Sequence, residues 1–172
     1  VQDSDIWIGS LGRLVAENYY RTFIEAAALL PKANFFIIGS GYELPKLKAK
    51  IKKLGLERRF FIVGMFPGAP YLKAFDAFVL TSVKEGLPYT MLEAMAGEVP
   101  MVVTRVGGMT EIAHGRGLVM PPREPEEIAR AIQYYIDNPA VAKKSAETAK
   151  RFLEENLTLS RMVKETEKIY LE

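Results

Sequence analysis

Short β-branched or aromatic runs alternate with helical periodicity along two thirds of this chain, and that alternation limits the folds open to it. The runs are Asp5–Gly9, Asn34–Gly39, Arg59–Gly64, Ala77–Thr81, Met101–Thr104 and Gly117–Met120. Each is apolar at neighbouring positions, so both faces need cover, as in a parallel sheet enclosed by helices. Between them, segments 17–30, 42–54, 69–75, 88–97 and 108–114 carry the helical signal. Strand–helix alternation predicts an α/β fold with a doubly wound, Rossmann-like sheet of six parallel strands. The expected strand order is 3-2-1-4-5-6, with right-handed crossovers. Pro121-Pro122 closes the sheet. Three helical stripes then follow: Ile128, Ala131, Ile132 and Tyr135; Ala142, Ala146, Ala149 and Leu153; and, from about Leu159, Met162, Thr166, Ile169 and Tyr170. No repeat or linker divides the chain, so residues 1–172 read as one domain, with strands and helices over 5–120 and C-terminal helices over 124–171.

Composition removes several classes of chemistry. There is no cysteine, which excludes disulfides, thiolate catalysis and cysteine–zinc sites. His114 is the only histidine, so a histidine metal centre is not expected, and any Ser-His-Asp triad has to use it. The net charge of +2 is too small to argue for nucleic acid. The basic run of Lys46, Lys48, Lys50, Lys52 and Lys53 shares its segment with Leu44, Leu47, Ile51 and Leu54, which is one helix with a solvated side. No apolar run is long enough to span a membrane, and the first residues do not resemble a signal peptide. The expected location is cytoplasmic.

In such a sheet, ligands bind at the carboxyl ends of the strands where the order reverses, between the first and fourth. After the first run comes Gly9-Ser10-Leu11-Gly12-Arg13-Leu14, whose glycines admit close backbone approach and whose arginine can grip phosphate oxygens. Taken alone, the element fits a plain turn with a surface arginine better. After the fourth run comes Thr81 to Glu93, with Glu85-Gly86-Leu87-Pro88 leading into a helix. Pro88 suits a first helical turn, so the helix aims free N–H groups and its positive end at the switch point. Glu85 and Glu93 are placed to accept from sugar hydroxyls; a solvated Glu85 and an ion-paired Glu93 are the alternative. Gly39-Ser40-Gly41 suggests a dinucleotide loop, but Leu44 stands at the third glycine and the element follows the second strand. Val106-Gly107-Gly108 opens another helix, either for tight packing or for a ligand. Asp3-Ser4-Asp5 spells a metal-binding pattern away from the switch point, and His114 is placed to cap a helix.

These elements occur together and in order: Gly12-Arg13-Leu14-Val15, Gly39-x-Gly41, Glu85-Gly86-Leu87-Pro88 leading to Glu93-Ala94-Met95-Ala96, and Val106-Gly107-Gly108 with Glu111. The set resembles the C-terminal, donor-binding half of retaining GT-B glycosyltransferases of family four, glycosyltransferase group one. The resemblance implies a domain that binds a nucleotide-diphosphate sugar, with UDP and GDP donors both open. It implies Glu85 as a catalytic residue bonding the sugar hydroxyls, and Gly86, Leu87, Pro88, Tyr89 and Thr90 as the backbone that holds sugar and diphosphate. Gly12 and Arg13 would meet the diphosphate, Glu93 the ribose, and Gly64, Met65 and Phe66 the base. No metal and no cofactor are implied. The partners implied are the donor and an N-terminal acceptor-binding domain, with no nucleic acid and no transmembrane segment; peripheral membrane contact stays open to the full enzyme. A non-catalytic nucleotide-sugar-binding or scaffold module is the alternative.

Three departures stand out. Asn18 and Tyr19 occupy places where the family usually has Lys-Gly. A glycine usual two residues before Pro100 is Glu98 here, with Gly97 one place earlier, so a helix cap shifted by one residue is expected. The segment from Glu111 to Gly117 is short.

Overall fold

A computed structural model describes residues 6–64 and 67–171. Among them six strands form one parallel sheet: β1 (Ile6–Leu11), β2 (Ala33–Ile38), β3 (Phe60–Val63), β4 (Ala77–Leu80), β5 (Met101–Thr104) and β6 (Leu118–Met120). Their order is β3-β2-β1-β4-β5-β6, as the alternation predicts. The direction of strand addition reverses between β1 and β4. The Asp3-Ser4-Asp5 element lies outside the described residues.

The helices are α1 (Tyr20–Ala28), α2 (Leu44–Lys53), α3 (Tyr89–Ala96), α4 (Gly107–Ala113), α5 (Pro125–Asp137), α6 (Pro139–Asn156) and α7 (Leu159–Leu171). Successive strand side chains point to opposite faces, and this divides the core in two. Ile8, Phe35, Ile37, Val79 and Val102 face α1, α2 and α5. Phe36, Ile38, Phe78, Leu80, Met101 and Val103 face α3, α4 and α6. On the first side the Phe23 ring meets Phe35 and Phe60 edge-on, at 5.6 and 5.5 Å between centroids. Such pairs add about 0.5–1.5 kcal/mol each beyond their buried area. The α5 stripe of Ile128, Ala131, Ile132 and Tyr135 is buried as expected, and so are Ala142, Ala146 and Ala149 of α6.

Several local expectations are corrected. β1 runs on through Ser10 and Leu11, because Leu11 pairs with Ile38 and the buried Ser10 hydroxyl donates to Val79 O at 2.6 Å. The first binding loop therefore starts at Gly12, not Gly9. The 17–30 helix splits into a 3₁₀ turn, Ala16–Asn18, and α1, because Tyr19 takes a left-handed conformation (φ 48°) that no α-helix contains. Segment 69–74 is 3₁₀, six residues being too few to repay α-helix nucleation. The α3 cap has not moved by one residue: Glu98 itself adopts the left-handed conformation (φ 54°), and its carboxylate pairs with Lys150 of α6 at 2.5 Å. At the end of α4 the exposed His114 stands at the cap through its backbone only. Arg116 satisfies the free carbonyls there, donating to Ile112 O at 2.6 Å and Glu111 O at 2.8 Å. Every side chain of α7 is exposed, including Met162, Ile169 and Tyr170. Among the described residues no helix is long and apolar enough to cross a membrane.

Candidate donor site at the switch point

Four loops meet at the carboxyl ends of β1, β2, β4 and β5. The β1 loop is laced to the β2 loop by three backbone hydrogen bonds: Gly12 N to Ile38 O, Leu14 N to Ser40 O and Glu43 N to Leu14 O, at 2.8–3.1 Å. A Cβ on Gly39 would lie 1.9 Å from Gly12 O. Gly39-x-Gly41 is thus a packing element that seats Gly12-Arg13, which answers the dinucleotide reading. Arg13 itself is exposed at the rim.

The β1 loop is also tied to the β4 loop. Asn18 Nδ2 donates to Arg13 O at 2.8 Å. Thr81 Oγ1 donates to Asn18 O at 3.0 Å, and Val83 N to Glu17 O at 2.8 Å. Asn18 therefore does with a neutral amide what backbone tethering needs, and adds no charge. Tyr19 sits where the family favours glycine, and its left-handed φ shows why. Beneath Gly12, the Tyr20 hydroxyl is buried and lacks a well-aligned hydrogen bond. Burial pushes its pKa up to about 12; the neighbouring Ser10 and Asn18 side chains pull weakly the other way, and the Glu85 charge adds to the rise.

Glu85 is half-buried and accepts from Ser82 Oγ at 3.3 Å. Its loop is set from below by the buried Thr104, whose hydroxyl donates to Ser82 O at 2.5 Å. It is set from the side by α4: a Cβ on Gly107 would sit 1.8 Å from Glu85 O, and one on Gly108 2.8 Å from Gly86 O. Only glycines let β5's loop come this close, and Gly107 in addition needs φ 47°. Pro88 is the cap of α3 and not its first residue, with φ −71° and ψ 131°. No side chain caps this helix, so its first N–H groups are left to a ligand or solvent. Glu93 lies on α3, half-buried, and its carboxylate has no hydrogen bond or ion pair among the described residues. Desolvation holds it above the usual carboxylate range.

The structure therefore ties the Gly12-Arg13 loop to the loop after β4, which carries Glu85, Gly86, Leu87 and Pro88 into Tyr89, Thr90 and Glu93 of α3, at the carboxyl ends of β1 and β4. Gly64 follows β3 at the same edge of the sheet, while Met65 and Phe66 lie outside the described residues. Among the described residues no three carboxylates or histidines converge as a metal site. A cleft of about 350 Å³ lies elsewhere, at the amino ends of β1 and β4, lined by Ile6, Ala77, Pro100, Tyr135 and Ala146. Thr104, Ser82 and Tyr20 were not readable from the sequence; Thr104 shows only as a hydroxyl ending an apolar strand, and Ser82 as one in the loop after β4.

Residues 1–152 match the family model described as glycosyl transferases group 1. The chain belongs to that family. It is 32% identical over 141 residues to the lipopolysaccharide core biosynthesis glycosyltransferase LpsE of Rhizobium meliloti, which covers 80% of this chain and 42% of that one. Among solved structures it resembles Anabaena Alr3699/HepE in complex with UDP and glucose, at TM-score 0.89 and 25% identity, over 95% of this chain and 48% of that one. It also resembles the C-terminal domain of a group 1 glycosyl transferase (LpcC) from Francisella tularensis, at TM-score 0.80 and 25% identity, over 90% and 87% of the two chains. This group 1 chain spans less than half the length of the curated relatives it matches, and its sheet is one half of a GT-B fold.

Proposed function

We propose that this group 1 chain is the donor-binding half of a retaining glycosyltransferase, which moves a sugar from a nucleotide diphosphate to an acceptor hydroxyl. One observation carries the reading: an exposed arginine loop, tied to the loop of Glu85, and an uncapped helix N-terminus both lie at the carboxyl ends of β1 and β4, where the sheet order reverses. The nucleotide found in Alr3699/HepE supports it. In this reading Arg13, Gly12 and the α3 N-terminus hold the diphosphate. Their positive charge stabilises it as the bond to the sugar breaks, without a metal. The backbone from Gly86 to Thr90 seats sugar and phosphate. Glu85 accepts from sugar hydroxyls, and the unpartnered Glu93 accepts from ribose hydroxyls. The base lies beside Gly64, Met65 and Phe66. An N-terminal domain supplies the acceptor side, so the chain alone binds donor without transferring sugar.

Isothermal titration with UDP, GDP and their sugars tests this. Glu93→Ala is expected to weaken nucleotide binding about tenfold or more, for loss of a hydrogen bond to a charged group. Unchanged affinity would leave Glu93 without its role, and turnover by the chain alone would overturn the division of labour. Asn18 favours a second reading, a nucleotide-sugar-binding or scaffold module without chemistry. Fusion to a relative's N-terminal domain separates the two: transfer supports the first, binding without transfer the second.

A further inference from the structure

Three non-glycine residues have positive φ among those described: Tyr19 (48°), Glu98 (54°) and Arg123 (66°). Glu98 is held by Lys150. The other two, far apart in sequence, meet each other: the Arg123 guanidinium carbon lies 5.2 Å from the centre of the Tyr19 ring. Arg21 shares the ring, at 5.7 Å. Two unfavourable backbone conformations at one contact are kept only where the surroundings determine them, and such places cluster at ligand sites.

The contact is at the site's rim. Thr81, at the carboxyl end of β4, donates to the carbonyls of Asn18 and Tyr19 at 3.0 and 3.3 Å. Arg123 follows β6, whose carboxyl end faces the same edge in an all-parallel sheet. Its charge is uncommitted, with no ion pair or hydrogen bond among the described residues. Arg21 reaches Glu25 only at 4.0 Å. The exposed Glu17 and Glu124 are the nearest carboxylates in sequence to the two strained residues. An aromatic face attracts a guanidinium while leaving its five N–H donors free in the ring plane's surroundings, so a ring can orient an arginine without using up its hydrogen bonds.

We propose that Arg123, carried on the Tyr19 ring with Arg21, is a diphosphate-binding residue of the donor site. The proposal rests on the donor-binding reading above. A diphosphate bears more negative charge than Arg13 alone balances, and positions 18 and 19 of the same loop contribute none. Tyr19 supplies in its place a platform that recruits cations from α1 and from the loop after β6.

The test is an NMR-monitored titration of the 172-residue chain with UDP and GDP, against uridine and guanosine. The variant is Arg123→Gly, which keeps the left-handed backbone and removes an exposed side chain with its guanidinium, so folding is expected to be intact by thermal unfolding. Arg123→Gly is expected to weaken the diphosphates about tenfold or more and to leave the nucleosides unchanged. Its diphosphate affinity is also expected to fall less steeply with salt than that of the unchanged chain. Arg123→Lys is expected to recover part of the loss, and Tyr19→Gly, which removes the platform, to reproduce it. Diphosphate affinity within twofold of the unchanged chain in Arg123→Gly would overturn the proposal and leave the donor reading standing. Failure of the unchanged chain to bind either diphosphate would overturn both.

Discussion

Gly107→Ala measures how closely the Glu85 loop depends on its neighbour, and Gly55→Ala is its matched control. Both glycines are left-handed, at φ 47° and 66°. A methyl group on Gly55 meets nothing within 4 Å, whereas on Gly107 it falls 1.8 Å from the Glu85 carbonyl oxygen. Gly55→Ala therefore isolates the backbone term, about 1–2 kcal/mol for a left-handed L-residue, offset in part by the about 0.4–1 kcal/mol that alanine removes from unfolded-chain entropy. Gly107→Ala carries the same term plus displacement of the Glu85 carbonyl by roughly 1 Å or more, an overpacking cost of about 1–3 kcal/mol. For a chain of this size each kcal/mol lowers Tm by about 2–4 °C, so the two variants should differ by roughly 2–12 °C. Urea unfolding followed by circular dichroism reads the same difference as a change in midpoint at constant slope. Calorimetry should add a loss of nucleotide-sugar affinity in Gly107→Ala only. Equal stability of the two variants, or full affinity in Gly107→Ala, would refute the claim that α4 sets the Glu85 loop.

Other consequences can be checked the same way. Thr104→Val keeps the shape but leaves the buried Ser82 carbonyl without its 2.5 Å donor, so it should cost about 1–3 kcal/mol in chemical unfolding and loosen the loop to Glu85. Glu93 gives a pH signature: its folded pKa is raised by desolvation, so the folded state holds its proton longer and stability from this group falls as pH rises through the carboxylate range. Glu93→Gln should therefore be the more stable protein at pH 7 and show no advantage at pH 3; an equal gain at both would contradict the assignment. Removal of 159–171 should leave Tm unchanged, since no α7 side chain is buried, and a large drop would mean that the helix packs on its own domain.

The strand order and the loops at the switch point were legible because each rests on local signals. Apolar runs marked the strands, and glycines or proline marked the turns at their carboxyl ends. What escaped depends on contacts between distant residues. Tyr19, Glu98 and Arg123 adopt conformations that their residue types usually avoid, so no local rule points to them. Lys150, the ammonium partner of the Glu98 carboxylate, and the contact of Arg123 with the Tyr19 ring exist only once the helices are in place. The end of β1 was misread because Gly9 looks like a turn residue. In the sheet it makes room for Phe75, whose ring would lie 2.1 Å from a Cβ there. The split of the 17–30 helix follows from the tie of Asn18 and Tyr19 to Thr81, across more than sixty residues of sequence.

The central claim is that a nucleotide sugar binds at the β1–β4 switch point. Backbone amide shifts recorded while UDP-glucose and GDP-mannose are titrated into ¹⁵N-labelled protein test it most directly. Saturable shifts at Gly12, Arg13, Glu85, Gly86, Thr90, Glu93 and Gly107 with one of the two donors are expected, with the amino ends of the strands silent. Saturable shifts confined to the cleft around Ala77, Pro100 and Ala146, or no saturable shifts with either donor, would contradict the account.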